Sequence, residues 1–233
     1  MIDLYALTSP NVVRVFIALE ELGLPYNVIP VDVWAGEQFK PEYIKINPNS
    51  KVPAITDHEG PGGKPITVFE SAAILMYLAN KTGKLMPKEG AARYECMEWL
   101  IMQVTTLGPF SGQAVHFTRF APSGNDYAVS RYKTEVNRIY DVLENRLAAS
   151  KYLGGADYSV ADIAAYPWSR AAGMMGVNLE ARPHVQKWAA EIAERAPVKA
   201  ALEKVGKITS VRETATEDNK DRMFGRGKYA RVA

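Results

Sequence analysis

The sequence predicts an α/β domain followed by an all-helical domain. Residues 1–83 alternate between short strand-like segments and segments with helical spacing of apolar residues. After this point no segment has the pattern of a strand. The intervening stretch 84–89 contains Pro and charged residues and is typical of a linker. We therefore expect a mixed domain over 1–83, a helical domain over 90–206 and a polar tail over 207–233.

The first domain is predicted to have the order strand, helix, strand, helix, strand, strand, helix. Short apolar runs rich in β-branched residues indicate the strands, and apolar residues three and four apart indicate the helices. Gly23 follows the first helix and is typical of a helix end. In chain order, the predicted segments are 2–7, 12–22, 26–33, 41–46, 52–56, 66–69 and 71–82.

Helical spacing of apolar residues recurs through the second domain. Ser159 and Asp162 have the spacing of a capping box, which points to a role in folding. The tail is polar and without a clear pattern, so we expect it to be mobile or to lie over the surface. The predicted helices of this domain are 91–107, 126–149, 160–175, 183–195 and 197–205.

Composition limits the function. The 233 residues carry a formal net charge of +2, too small and too scattered to indicate a nucleic-acid partner. The chain has neither a secretory signal pattern nor an apolar run of membrane-spanning length, and its three histidines lack metal-ligand spacing. The single cysteine, Cys96, excludes an internal disulfide and a paired-cysteine redox motif. We expect a cytoplasmic protein without a metal, whose thiol chemistry uses a ligand's thiol unless Cys96 itself reacts.

Three motifs, together with the element order, resemble the cytosolic glutathione transferases. They are Lys51-Val52-Pro53, Phe69-Glu70-Ser71 and Ser159-Val160-Ala161-Asp162. Further segments are similar to the bacterial Nu-class disulfide-bond oxidoreductases, which are related to a yeast nitrogen-regulatory prion protein. The resemblance runs from residue 1 to about residue 204. These further segments are 2–5, 9–11, 38–39, 107–109, 112–113, 152–155 and 158–164.

The resemblance implies a thioredoxin-like first domain that binds glutathione, an all-α second domain and a homodimer. Glutathione or its disulfide would be a cosubstrate, with no permanently bound cofactor, and small disulfides would be reduced. Two alternatives remain open. The protein could be a transferase that conjugates glutathione to electrophilic substrates, or a non-catalytic glutathione-binding regulator.

Val52 and Pro53 fit the central cysteine of glutathione. A cis proline after Val52 would end the strand and leave the Val52 N–H and C=O free to pair with the peptide backbone. The alternative is an ordinary trans proline on an edge strand. The position of this pair before a short apolar strand, with Glu70-Ser71 after the next one, favours cis.

Glu70 and Ser71 fit the γ-glutamyl end. Ser71 begins a predicted helix, so its N–H and hydroxyl can receive a carboxylate at the positive end of the helix dipole. Glu70 can then pair with the ligand's ammonium group. The alternative is that Ser71 simply caps the helix, although a Glu immediately before the cap contributes little to capping.

Asn11, Ser9 and Thr8 lie where the first strand meets the first helix, and their polar groups can point at a ligand's sulfur. The resemblance implies that Asn11 is the key amide and that Ser9 is the hydroxyl residue, with Thr8 a second candidate. The alternative is a helix cap. Tyr5 lies within the first strand and is interpreted as a core residue rather than a catalytic one.

Three further residues complete the predicted glutathione site. Gln38 and Lys51 are candidates for the ligand backbone and the glycine carboxylate, although a Lys before a strand is also typical of a solvated surface. Arg131 resembles an arginine through which the subgroup contacts a second glutathione. An exposed helix charge is the alternative for Arg131.

Overall fold

A computed structural model describes residues 1–230, so the last three residues of the predicted tail lie outside the described part of the chain. The described chain divides into two compact units. One contains residues 1–74 together with the chain from Ala200 onward, and the other contains residues 75–199. The mixed architecture followed by helices confirms the predicted fold class, a thioredoxin-like domain plus a helical domain.

The first unit is built on a four-stranded sheet with the order β2-β1-β3-β4. Its strands are β1 (Ile2–Ala6), β2 (Tyr26–Pro30), β3 (Ala54–Asp57) and β4 (Ile66–Phe69). Strands β1 and β2 are parallel, and β3 runs antiparallel to both β1 and β4. Alternate residues of β1 are buried, as expected for a strand with one face toward a core.

The second strand is shorter than the predicted 26–33. It ends at Pro30, and the chain turns where the Asp32 carboxylate accepts hydrogen bonds from the amides of Trp34 and Ala35. An aspartate that bonds to the backbone two residues on replaces strand pairing with a turn. The apolar residues Val31 and Val33 are buried in this turn rather than in the sheet.

The helices that begin in the first 74 residues are α1 (Pro10–Leu22), α2 (Pro41–Ile44) and α3 (Ser71–Thr82), and α3 continues into the second unit. Eight consecutive residues of α1, Val12–Leu19, are buried. Gly23 ends α1 in the left-handed conformation at φ 63°, which confirms its predicted role as a cap.

The second unit contains α4 (Gly90–Met102), α5 (Gly108–Arg119), α6 (Asp126–Ala149), α7 (Val160–Ser169) and α8 (Pro183–Ala193), and α9 (Ala196–Gly206) begins in it. Helix α5 was not predicted, and it contains glycine and proline, which are poor helix formers. Its proline lies in the first turn, where a missing N–H costs nothing. Two predictions were too long: a π-helical turn over Gln103–Leu107 follows α4, and a 3₁₀ turn over Ala172–Met175 follows α7.

The Ser159–Asp162 capping box is confirmed. The Ser159 hydroxyl accepts from the Ala161 amide, and the Asp162 carboxylate accepts from the Ser159 amide. Asp162 also accepts from the Leu153 amide and the Trp188 indole, so one buried side chain joins three segments of the second unit. Burial raises the pKa of Asp162.

The predicted tail contains a helix, α10 (Glu217–Phe224), within the first unit. It begins with a second capping box, in which the Thr216 hydroxyl accepts from the Asn219 amide and the Asn219 side chain accepts from the Thr216 amide. Within residues 1–230, no helix combines the length and the apolar character needed to cross a membrane.

Candidate glutathione site

The strand register places the predicted site residues at one end of the sheet. Tyr5 near the end of β1 pairs with Ala54 at the start of β3, and Ala54 pairs with Phe69 at the end of β4. Ala6 pairs with Pro30 at the end of the parallel strand β2. The segments that continue from these strand ends therefore emerge at the same edge. They are residues 7–11, 31–40, 51–53 and 70–71.

The start of α1 offers unused polar groups at this edge. Ser9 is the N-cap residue, but only its carbonyl takes part, accepting from the Val12 and Val13 amides at 2.9 and 3.0 Å. Within residues 1–230, the side chains of Thr8, Ser9 and Asn11 form no hydrogen bond, and Asn11 is exposed. Ser9 thus does not use its hydroxyl as a cap, which was the alternative, and the three side chains are free to contact a ligand.

The Val52–Pro53 peptide bond is cis, as predicted. The carbonyl of Lys51 accepts hydrogen bonds from the Tyr43 hydroxyl at 2.6 Å and from Asn47 Nδ2 at 2.7 Å, which fix the chain just before Val52. Strand pairing begins at Ala54. No residue in the described part of the chain hydrogen-bonds to the Val52 amide or carbonyl, so both remain available.

Glu70 connects β4 to α3 in a conformation that is rare for this residue type. Its φ is 65°, and strained backbone of this kind concentrates at functional sites. The Glu70 carbonyl accepts from the Ile74 amide at 2.9 Å, and the exposed Glu70 carboxylate accepts from Asn49 Nδ2 at 3.0 Å. The Ser71 amide has no hydrogen-bond partner among residues 1–230 and points out of the first turn of α3.

Arg14 supports Ser71 from the interior. Its side chain is 1% exposed, and Nη1 donates a hydrogen bond to the Ser71 hydroxyl at 3.1 Å. Burial lowers the pKa of Arg14 to about 9, so the guanidinium is still charged at neutral pH. Sequence reasoning missed Arg14, although a charged residue inside the apolar run of α1 was a usable signal. It also missed Tyr43, Asn47 and Asn49, for which the polar run 47–50 before Lys51 was the only sign.

Gln38 lies in the loop 31–40 and is 2% exposed. Its Nε2 donates to the Val33 carbonyl at 3.1 Å, whereas Oε1 is a buried acceptor without a partner in the described chain. Gln38 therefore shapes the loop through Nε2, and because its side chain is buried, its contact with glutathione stays a prediction. Lys51 is exposed at the same end of the sheet.

Arg131 lies in α6 of the second unit, half exposed, and forms an ion pair with Glu135 at 3.0 Å. Two hydrogen bonds lower the pKa of the Glu135 carboxyl to about 2, and the bond from Arg138 contributes more than the bond from Arg131. The contact of Arg131 with a second glutathione stays a prediction.

Two other residues could in principle take part in thiol chemistry, Tyr5 through its hydroxyl and Cys96 through its own thiol, and neither has a suitable environment. Tyr5 lies in β1 with its ring edge-to-face against Tyr43, the centroids 6.0 Å apart. Cys96 is buried in α4, and burial raises the pKa of its thiol, the opposite of what a nucleophilic cysteine needs.

A sheet end with an exposed amide, a free backbone pair and a helix start is the ligand-binding arrangement of a thioredoxin-like domain. The chain belongs to the glutathione S-transferase family: residues 8–81 match the model of its N-terminal domain and residues 107–196 the model of its C-terminal domain. The family resemblance stated from the sequence is confirmed.

Individual relatives cover most of the chain. The disulfide-bond oxidoreductase YfcG of Escherichia coli is 45% identical over 203 residues, spanning 87% of this chain and 94% of the relative. A glutathione transferase family member from Pseudomonas fluorescens with two glutathione bound superposes with a TM-score of 0.82 at 40% identity, covering 87% of this chain and 92% of that one. A glutathione transferase from Pseudomonas putida with one glutathione disulfide bound per subunit gives 0.81 at 38% identity, covering 87% and 90%.

Proposed function

We propose that the protein is a glutathione-dependent disulfide-bond oxidoreductase, with its glutathione seat at the end of the sheet where β1 and β4 finish. The observation that carries the proposal is the convergence of unpaired groups at this edge: the Asn11 amide, the Val52 backbone and the Ser71 N–H. The similarity to a disulfide-bond oxidoreductase and to transferases with glutathione or its disulfide bound supports the same chemistry.

Each part of glutathione has a proposed partner. The γ-glutamyl carboxylate docks on the Ser71 amide and hydroxyl at the positive end of α3, and Glu70 pairs with the ammonium group. The cysteine backbone pairs with Val52, beside Pro53, as an added strand segment. The Lys51 ammonium is assigned to the glycine carboxylate, and Gln38, whose side chain is buried in the loop 31–40, stays a predicted contact.

Asn11, with the hydroxyl of Ser9 or Thr8, is proposed to stabilise the glutathione thiolate. Lowering the thiol pKa from about 8.5 to about 6.5 raises the thiolate fraction at pH 7 from roughly 3% to roughly 75%. A Brønsted slope of about 0.45 removes about 8-fold in nucleophilicity, which leaves a net gain of about 3-fold. Most of the acceleration must therefore come from holding the thiolate in line with the disulfide.

The reaction balances with two glutathiones. The bound thiolate attacks one sulfur of a small disulfide, forming a mixed disulfide and releasing the other sulfur as a thiolate that takes up a proton. A second glutathione thiolate, for which Arg131 is the proposed contact, attacks the glutathione sulfur of the mixed disulfide. The products are glutathione disulfide and the second substrate thiol. Glutathione is consumed as a cosubstrate, and no permanently bound cofactor takes part.

The setting of the reaction follows from the same proposal. A chemistry that consumes reduced glutathione belongs in the reducing cytoplasm. The family relationship supports a homodimer, and glutathione with small disulfides or electrophiles are the proposed partners. We keep the domain limits expected from the sequence as part of the proposal. They are a glutathione-binding domain over 1–83, a linker over 84–89, a helical domain over 90–206 and a tail from residue 207.

The test is Asn11→Ala, assayed for glutathione-dependent reduction of 2-hydroxyethyl disulfide. We expect kcat/KM at pH 7 to fall by about 3-fold, the net gain calculated for acidifying the thiol, and the thiol pKa in the pH profile of kcat/KM to rise, while the glutathione Kd changes little. Asn27→Ala is the matched control, because Asn27 lies near the start of β2, at the other end of the sheet, and bonds to Asp3. Equal activity of Asn11→Ala and the unaltered protein would remove Asn11 from the mechanism.

The family name favours a second candidate, conjugation of glutathione to an electrophile. Turnover of 1-chloro-2,4-dinitrobenzene without reduction of any disulfide would support a transferase instead. Tight binding of glutathione with turnover of neither substrate would support a non-catalytic regulator.

A further inference from the structure

The C-terminal helix α10 packs on the loop that carries Gln38. Asn219 Nδ2 donates to the Trp34 carbonyl at 3.3 Å, and Arg222 Nη1 donates to the Ala35 carbonyl at 3.0 Å. The Phe224 ring meets the buried Trp34 ring edge-to-face, with centroids 6.4 Å apart. All these contacts lie within the first unit. The last of these loop residues, Ala35, lies three residues before Gln38.

Arg222 also follows the backbone of this loop closely. Gly36 has φ 83°, and a Cβ added there would lie 2.9 Å from Arg222 Cδ. The aliphatic part of Arg222 therefore lies directly over Gly36, close enough that a side chain there would displace it. Arg222 therefore restricts the loop at two consecutive positions. Its guanidinium bonds to the carbonyl of Ala35, and its aliphatic part covers Gly36.

The helix has its own supports, so it can hold the loop rather than merely follow it. Thr216 and Gly225 cap its two ends. Arg222 Nη2 is held by Asp218 at 3.2 Å and by the Tyr229 hydroxyl at 2.7 Å. The guanidinium is thus oriented by the tail itself before it reaches the loop.

We propose that α10 is a clasp that holds residues 34–40 in the conformation that receives glutathione, with Asn219 and Arg222 as positioning residues. The inference rests on the proposed function, because it assigns the clasp to the same glutathione site. A ligand's apparent affinity falls with the fraction of molecules in the receptive conformation. Opening of the clasp therefore weakens glutathione binding without removing any group that touches the ligand.

Arg222→Gln and Lys220→Gln make a matched pair for the test. Each removes one positive charge from α10 and one ion pair inside the tail, with Asp218 and Glu217 respectively. Arg222→Gln also removes the bond to the loop and the bond to the Tyr229 hydroxyl within the tail, of which only the first reaches residues 34–40. In the full-length chain, we expect Arg222→Gln to raise the glutathione Kd by about 3- to 10-fold in calorimetry and to speed hydrogen exchange of the 34–40 amides by a similar factor. Lys220→Gln should change neither by more than about 2-fold.

A second variant keeps the helix cap intact. Asn219→Asp keeps a side-chain oxygen that can accept from the Thr216 amide, as the amide oxygen of Asn219 does, but loses the N–H that donates to the Trp34 carbonyl. It should therefore act in the same direction as Arg222→Gln, while the helix itself persists in circular dichroism. Unchanged loop exchange, or faster exchange with an unchanged Kd, would overturn the clasp. Failure of the unaltered protein to bind glutathione would instead overturn the proposed function.

Discussion

The buried guanidinium of Arg14 donates to the hydroxyl of Ser71 across 3.1 Å, joining the middle of α1 to the first residue of α3. The N-terminus of α3 already carries the positive end of the helix dipole. A full positive charge one hydrogen bond behind Ser71 adds to that potential in a site shielded from solvent. The proposed anion site is therefore built by two helices, although only α3 supplies the groups assigned to the ligand.

Arg14→Met should weaken glutathione binding selectively. Methionine fills similar apolar volume, and replacing a buried charge by an apolar side chain need not destabilise the fold. We expect the glutathione Kd to rise by about 10-fold, corresponding to roughly 1.4 kcal/mol, when a charge-assisted bond behind the anion site is lost. Calorimetry with glutathione and with an analogue that lacks the γ-glutamyl α-carboxylate separates the effects. An equal loss for both ligands would contradict the assignment of Arg14 to the carboxylate.

Glu70→Gln should weaken binding of the ammonium end. The amide keeps the size of the side chain and one acceptor for Asn49, but it no longer offers a charge. The expected rise in the glutathione Kd is about 10-fold, and Asn49→Ala, which only releases Glu70, should give about 3-fold. Glu42→Gln, an exposed carboxylate in α2, is the control. N-acetylation removes the positive charge of the ligand's amine, so it should cost the unaltered protein more affinity than it costs the Glu70→Gln variant. An equal loss of affinity in the two proteins would contradict the pairing of Glu70 with the ammonium group.

The sequence predicted the elements whose patterns are local. The strand β4 and the helix α3 were predicted with their observed bounds. The apolar pattern of the sequence changes from alternation to helical spacing at Glu70, where the strand ends and the helix begins. Helix α5 was missed, and its glycines and proline weaken the local helical signal, although a proline in a first turn is harmless. Helix α10 was missed because its stability lies in caps and in its contacts with Trp34, and not in an apolar stripe.

The candidate site divides in the same way. The cis bond at Val52-Pro53 and the helix start at Ser71 could be predicted because both are marked by residue types at those positions along the chain, while their contacts with glutathione stay predictions. The charge of Arg14 within an apolar run was a signal, but its partner could not be predicted, since the contact is with a residue 57 positions away. Burial of Gln38 was equally invisible, because it depends on how the loop 31–40 folds after β2 ends.

Asp162→Ala should destabilise the protein without changing its chemistry. The buried carboxylate accepts from Ser159, Leu153 and Trp188, so removing it leaves several buried donors unpaired. We expect a loss of about 3–5 kcal/mol in the free energy of unfolding, measured by urea denaturation. Asp157→Ala, an exposed aspartate just before the cap, should change stability little. Normal stability of Asp162→Ala would show that the capping box does not support the fold.

Glu144 in α6 caps the start of α8, and this contact makes the stability of the fold depend on pH in a known direction. Its carboxylate accepts from the Val185 amide at 2.9 Å and from the His184 amide and ring at the start of α8. Burial pushes the pKa of Glu144 up, but the hydrogen bonds from Val185 and His184 outweigh it, and the net shift is downward.

A carboxylate with a lowered pKa in the folded state stabilises the fold above its unfolded pKa, about 4.3, and loses that contribution as the pH falls through the folded value. Glu144→Gln should therefore be less stable than the unaltered protein by roughly 1–2 kcal/mol at pH 7, because an amide cannot satisfy the same donors as well. The gap between the two proteins should narrow steadily below pH of about 4.3, as followed by urea denaturation at each pH. Glu203→Gln, which breaks only the exposed pair with Lys207, should show little difference at any pH. A Glu144→Gln gap that is the same at pH 7 and at pH of about 3 would mean that the side chain acts by its shape and not by its charge.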